Sequence, residues 1–143
     1  DLSEGRFQTV IPESDNTIDD KKVKRVILCS GKVYYDLLER RTKEEHYEAA
    51  VIRVEQLYPF PKNKVEVEFA RYPNAKEFVW CQEEPINQGA WYMSQHHIRT
   101  VLGERAYLTY AGRPASAAPA VGSHVLHVKQ LQDLLNVAFG TEK

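Results

Sequence analysis

Apolar positions come in short blocks along this chain, and the period of the blocks keeps changing. Val26-Ile27-Leu28-Cys29 is an unbroken apolar run ended by Ser30-Gly31, which predicts a first strand. Behind it, Val33, Tyr34, Leu37 and Leu38 recur at helical spacing while Asp36, Glu39, Arg40 and Arg41 are polar, so residues 32–41 predict a helix. Ala49-Ala50-Val51-Ile52-Arg53-Val54 predicts a second strand. Pro59-Phe60-Pro61 predicts a turn, because the proline pair excludes helix there. Asn63 stands where it can cap a helix carrying Val65, Val67 and Phe69 and ending at Tyr72-Pro73-Asn74, although that apolar pattern is closer to a period of two. Phe78-Val79-Trp80-Cys81 predicts a third strand, residues 91–102 a helix stopped by Gly103, and Ala106-Tyr107-Leu108-Thr109-Tyr110 a fourth strand. A last helix over 126–139 carries Leu131, Leu134, Leu135 and Ala138 on one face and stops at Gly140. Strand and helix in alternation predict an α/β sandwich with a mostly parallel sheet.

The leading segment is different. Residues 1–20 are polar and irregular, with a short strand expected at Phe7-Gln8-Thr9-Val10-Ile11 before Pro12 and a turn at Glu13-Ser14-Asp15-Asn16-Thr17. The expected organisation is an irregular lead-in over 1–20 and one domain over 21–143. Asp1 in place of Met suggests a piece of a longer protein, cut in a linker.

Composition narrows the partners. Of 143 residues, 43% are hydrophobic and 27% charged, which suits a folded globular domain. The net charge is -1 and no Lys/Arg run exceeds three residues, so nucleic acid is not an expected partner. No apolar run approaches the ~18 residues of a membrane helix, and no basic, apolar leader opens the chain. Cys29 and Cys81 are too few for a disulfide scaffold, and both end apolar runs, which points to buried thiols in a reducing compartment.

Chemistry concentrates at strand ends. The stretch Trp80-Cys81-Gln82-Glu83-Glu84-Pro85-Ile86-Asn87-Gln88-Gly89-Ala90-Trp91 reads as a strand that surfaces, turns at Glu83-Glu84-Pro85 and restarts as a helix near Ala90. Ligands of open α/β sheets meet such carboxyl-end loops. Adjacent Glu83 and Glu84 point different ways, so helix capping or pairing with an arginine is favoured over a proton-sharing dyad. Ser30-Gly31-Lys32 joins a strand to a helix; an anion could sit at that helix start, or Ser30 simply caps it. It lacks the spaced glycines of a P-loop. Arg113, in the loop after the fourth strand, could serve an anion or pair with Glu83 or Glu84. His96-His97 are adjacent, whereas chelation on a helix prefers a spacing of four. No nucleophile elbow or Ser/His/Asp arrangement appears.

Four motifs in order carry a resemblance: residues 29–37 (Cys-Ser-Gly-Lys-Val-Tyr-Tyr-Asp-Leu), 53–61 (Arg-Val-Glu-Gln-Leu-Tyr-Pro-Phe-Pro), the stretch 80–91, and 110–115 (Tyr-Ala-Gly-Arg-Pro-Ala). Together, over about residues 5–140, they resemble the carboxyl-terminal domain of the thiamine-diphosphate-dependent dehydrogenase component of the 2-oxoglutarate dehydrogenase complex. Gln95-His96-His97 is similar to the bacterial branch, which implies a cytoplasmic enzyme. The resemblance implies a three-layer α/β/α sandwich like the transketolase carboxyl-terminal domain, with a mostly parallel, mixed sheet of about five strands. It implies a parent that decarboxylates 2-oxoglutarate and succinylates the lipoyl group of the succinyltransferase core, working with dihydrolipoyl dehydrogenase. Thiamine diphosphate and Mg2+ are then expected on upstream domains across a homodimer interface, and this domain by itself is expected to hold neither and to be inactive. Its implied roles are packing in the dimer, through Glu83, Glu84, Asn87, Gln88 and Trp91, and binding of an effector such as acetyl-CoA or AMP. Ser30, Lys32 and Gln82 are the candidate effector contacts, with charge from Arg25 and Arg113.

Overall fold

The computed structural model describes residues 9–113 and 124–141. Its strands are β1 (Val10–Ile11), β2 (Arg25–Cys29), β3 (Ala49–Val54), β4 (Glu77–Pro85) and β5 (Leu108–Arg113). Its helices are α1 (Val33–Glu44), α2 (Lys62–Ala70), α3 (Gly89–Leu102) and α4 (His124–Phe139). The strands form one sheet in the order β1-β3-β2-β4-β5, with β1 antiparallel and the others parallel.

Parallel strands need crossovers, and the crossover helices cover both faces, so the central strands are buried on both sides. Successive residues of β2 show this. Val26 and Leu28 pack with Ile52, Phe78 and Trp80 against Val65 and Phe69 of α2 and Ile98 and Leu102 of α3. Ile27 and Cys29 pack with Val51, Val79 and Cys81 against Val33 and Leu37 of α1 and Leu134 and Ala138 of α4. Burying one such side chain stabilises by roughly 1.5–3 kcal/mol, and two apolar layers give the sandwich its three-layer form.

The topology creates a switch point. The β2-α1-β3 crossover lies on one face, whereas α2 and α3 return on the other. The chain therefore winds away in opposite directions from β2 and its neighbour β4, and a crevice opens between their carboxyl ends.

Several boundaries differ from the sequence reading. β4 does not stop at Cys81 but runs on to Pro85, so the turn falls at 86–88. Pairing of Pro85 with Arg113 on β5 extends it past a register shift. β5 itself begins at Leu108, opposite Phe78; Ala106 and Tyr107 precede it, and Tyr107 is exposed. Asn63 lies inside α2 rather than capping it, and the capping position is Pro61, with no side-chain acceptor. Val65 and Phe69, four residues apart, face the core while Val67 is exposed, so the helical period overrides the apparent alternation.

From residue 9 on, the lead-in is part of the domain. β1 pairs with β3, and Ile18 enters the core. Glu13 is buried with Arg41 of α1: one carboxylate oxygen accepts from Arg41 Nη2 at 2.7 Å and the other from Arg41 Nη1. The second oxygen also accepts the Val51 N–H at 2.7 Å, so the carboxylate satisfies the edge of β3 beyond the point where β1 stops.

Candidate functional site

A cavity of about 260 Å³ lies at the switch point. Ser30 and Gly31 come from the β2–α1 turn, Gln82 and Glu84 from β4, Leu57 and Tyr58 from the segment after β3, and Ala90 and Met93 from α3. Its walls are mainly apolar. Tyr58, Tyr92 and Met93 are exposed.

Gln82 is the most heavily bonded side chain here. It is 1% exposed. Its Oε1 accepts from Trp80 Nε1 at 2.9 Å and from the Trp91 N–H at 2.9 Å. Its Nε2 donates to the carbonyls of Glu84, Pro85 and Gln88 at 3.1, 3.0 and 2.8 Å. Trp91 is the third residue of α3, and Gln88 at its capping position supplies no side-chain bond. Gln82 thus does the work of a cap from another element. It also holds the bulge in β4 between the pairs Cys81–Ala111 and Pro85–Arg113.

Its neighbours complete the support. The Tyr110 ring packs on Trp91 at 5.1 Å between centroids, and its hydroxyl lies 3.2 and 3.0 Å from the carbonyls of Glu84 and Arg113. Burial raises the Tyr110 phenol to about 12. Gly112 leaves room for this ring; a Cβ there would come within 2.8 Å of the Gln82 carbonyl.

The candidate effector residues separate. Ser30 and Gln82 meet in the cavity, but Gln82 has its polar atoms engaged by the protein. Lys32 is exposed at the start of α1 and does not line the cavity. Ser30 does not cap α1, whose capping position is Lys32, with no side-chain bond. Asp36, one turn further on, is shifted upward by burial and by Glu39, with Lys32 opposing.

Arg25 does not share this site. It begins β2, so it lies about 16 Å from Ser30 at roughly 3.3 Å per residue. There it pairs with Glu77 at 2.5 Å and donates to the Ala138 carbonyl at 3.2 Å, serving the carboxyl end of α4. Arg113 meets neither glutamate carboxylate. Its Nε donates to the Glu83 carbonyl oxygen at 2.7 Å and its Nη1 to Gln130 Oε1 at 3.3 Å. Of the expected packing residues, Trp91 is buried in the core while Glu84, Asn87 and Gln88 are exposed and Glu83 is half-buried. The loop expected after Tyr110 lies outside the described residues from 114 to 123.

Sequence reasoning missed the apolar walls, Leu57, Tyr58, Ala90 and Met93. Tyr58 follows a strand and Met93 sits on the outer side of a helix, and neither position bears a local signal for a cavity. Only the spatial neighbourhood of β2 and β4 joins them.

A doubly wound sheet with an antiparallel edge and a crevice at its switch point places the chain in the class of mixed-sheet, three-layer α/β/α domains. A solved structure titled split gene transketolase, inactive beta4 tetramer, superposes with a TM-score of 0.60 over 98% of this chain and 46% of that one, at 16% identity, a likeness of fold. The family profile described as 2-oxoglutarate dehydrogenase C-terminal matches residues 1–139, and the chain belongs to that family. The 2-oxoglutarate dehydrogenase E1 component of Cupriavidus necator is 54% identical over 143 residues, covering all of this chain and 15% of that protein. The protein of the same name from Azotobacter vinelandii is 54% identical, with 97% of this chain and 15% of that one covered. The mitochondrial 2-oxoglutarate dehydrogenase of Dictyostelium discoideum is 43% identical over 143 residues. The chain spans about 15% of the length of the curated relatives first named here.

Proposed function

We propose that this chain is the carboxyl-terminal domain of a bacterial, thiamine-diphosphate-dependent 2-oxoglutarate dehydrogenase component. In that reading upstream domains decarboxylate 2-oxoglutarate and pass the succinyl group to a lipoyl arm of the succinyltransferase core, in the cytoplasm. Dihydrolipoyl dehydrogenase meets this domain only through the assembled complex. The observation that carries the reading is the identity of 54% over the whole chain. In the same reading thiamine diphosphate and Mg2+ are held by the upstream domains. No step of the chemistry is assigned to residues of this chain.

The domain's own part is packing and effector binding. Exposed Tyr58, Tyr92 and Met93 offer apolar contact to the upstream domains and the second protomer of a homodimer. The switch-point cavity takes the apolar part of an effector such as acetyl-CoA or AMP, with Ser30 at its wall and Lys32 beyond its edge for the anionic part. Gln82 contributes by holding the wall. Arg25 and Arg113, bonded elsewhere, contribute to the scaffold.

Two measurements separate these statements. The full-length protein should reduce an artificial electron acceptor with 2-oxoglutarate as substrate, and the 143-residue chain should not; turnover by the isolated chain would overturn the division of labour. In the full-length enzyme, Lys32→Ala should weaken effector response more than it lowers basal turnover. An unchanged response would remove the effector reading and leave the family assignment standing. A second reading, a self-sufficient nucleotide-binding module, is favoured by a cavity lined wholly by this chain. Calorimetry of the isolated chain with acetyl-CoA and AMP tests it, and no heat with either excludes it.

A further inference from the structure

Lysines converge at the amino ends of β2 and β4, the end of the sheet away from the switch point. Lys24 and Lys76 each stand just before a paired residue, Arg25 on β2 and Glu77 on β4, and the Lys76 N–H donates to the Lys24 carbonyl at 3.0 Å. The Asn74 side chain donates to the Lys21 carbonyl at 2.8 Å, which ties the short 3-10 turn Asp20–Lys22 to the same place. Lys21, Lys22, Lys24 and Lys76 are all exposed, and among the described residues their ammonium groups have no ion pair or hydrogen bond. Beside Lys22 lies a depression of about 490 Å³, lined also by Thr17, Asp19 and the exposed Tyr47.

Backbone bonds thus fix like charges close together. Neighbouring strands lie about 4.8 Å apart, and like charges side by side on a sheet repel. The carboxylates around the lysines are already engaged. Glu77 pairs with Arg25 at 2.5 Å, Asp20 with Arg71 at 3.3 Å and Glu48 with His46 at 3.5 Å, while Asp19 accepts the Lys21 N–H at 3.0 Å. The arginines at this end are engaged as well. Arg71 also meets Glu68 at 3.0 Å, and Arg105 donates to the carbonyls of Phe69 and Tyr72. What stays free is lysine, a compact charge without the planar fork that favours phosphate. Nucleic acid calls for a basic stripe, which a small patch on a chain of net charge -1 does not supply. A short run of carboxylates fits the patch in both extent and chemistry.

We propose that Lys21, Lys22, Lys24 and Lys76 form a docking face for a carboxylate-rich segment of a partner protein. Binding brings carboxylates among the ammonium groups and relieves their mutual repulsion. Contacts between exposed charges act mainly on the rate of encounter, and they weaken as salt rises. The face is independent of the effector reading, because Lys32 and the cavity lie at the opposite ends of the strands.

The test is fluorescence anisotropy of a labelled decaglutamate peptide titrated with the 143-residue chain at low salt. Binding is expected, and it should fade as NaCl is raised from about 50 to about 300 mM. Reversing two charges together, Lys24→Glu with Lys76→Glu, should weaken binding about tenfold. The same reversal at Lys62 and Lys64, on α2, should leave it unchanged. Circular dichroism establishes that the variants are folded; where the reversal is not, Lys24→Gln with Lys76→Gln takes its place. Four outcomes would each overturn the proposal: no binding of decaglutamate, unchanged affinity in the folded variant, an equal loss from the α2 pair, or tighter binding of a labelled decathymidylate than of the peptide.

Discussion

Gln82 shows how much one buried amide can carry. Removing it strands the Trp80 indole N–H and the Trp91 amide and takes the Nε2 donor from the Gln88 carbonyl, while the Glu84 and Pro85 carbonyls keep the Tyr110 hydroxyl and the Gln88 N–H. Each unsatisfied buried group costs about 1–3 kcal/mol. Gln82→Ala should therefore destabilise by about 3 kcal/mol or more, read from the urea midpoint of the isolated chain. A loss below about 1 kcal/mol would mean that water replaces the amide and that Gln82 is not the organiser of this corner. The family resemblance implied Gln82, in the polar stretch at a strand end, as an effector contact. Polarity at a strand end does not say which way a side chain points, and here it points inward.

At the scale of elements, the ends are set by backbone conformation as much as by side chains. Gly31 and Gly140 both have positive φ, +84° and +71°, yet they sit in different surroundings. A Cβ at Gly31 meets open space, whereas at Gly140 it meets the Arg25 guanidinium that serves the end of α4. Gly31→Ala should cost only the conformational penalty of about 1–2 kcal/mol. Gly140→Ala should cost more, because the Arg25 contacts with Glu77 and Ala138 must also give. Thermal unfolding of the two variants should rank them in that order; equal losses would show that Arg25 moves aside freely. The helix stops at Gly103 and Gly140 were legible in the sequence, because a glycine after an amphipathic run is a local signal. The continuation of β4 to Pro85 was not, because Glu83-Glu84-Pro85 carries turn residues and is held as strand by its pairing with β5.

The whole molecule adds a dependence on pH that no single element displays. Tyr72 is fully buried between layers, its hydroxyl has no partner, and burial raises its phenol to about 12. Tyr110 is raised to about 12 as well. Burial favours the neutral phenol, so the folded chain keeps protons that the unfolded chain loses near pH 10. Stability from these groups is full below pH 10 and falls as pH climbs from about 10 to 12. The Tyr72 share is about 2–3 kcal/mol. Urea midpoints measured from pH 9 to 12 should fall across that window, and Tyr72→Phe should flatten the fall. A variant that follows the parent curve would place the alkaline transition elsewhere.

The alternation of β and α blocks, the buried runs that become β2 and β3, and the four strand-end motifs were determined by sequence alone. Each is a local pattern: a run of apolar residues, a change of period, or a fixed order of side chains. Which strand lies beside which was decided only in three dimensions. Placing β2 between β3 and β4 put Ser30 beside Gln82 and Cys29 beside Cys81, and sent Arg25 to the far end of the sheet. Those neighbours are 52 residues apart in the chain (81 minus 29), and what joins them is the burial of both faces of β2 and β4 beneath crossover helices. Local pattern names the elements, and non-local packing chooses their neighbours, because the apolar area that selects a neighbour exists only once the elements have met.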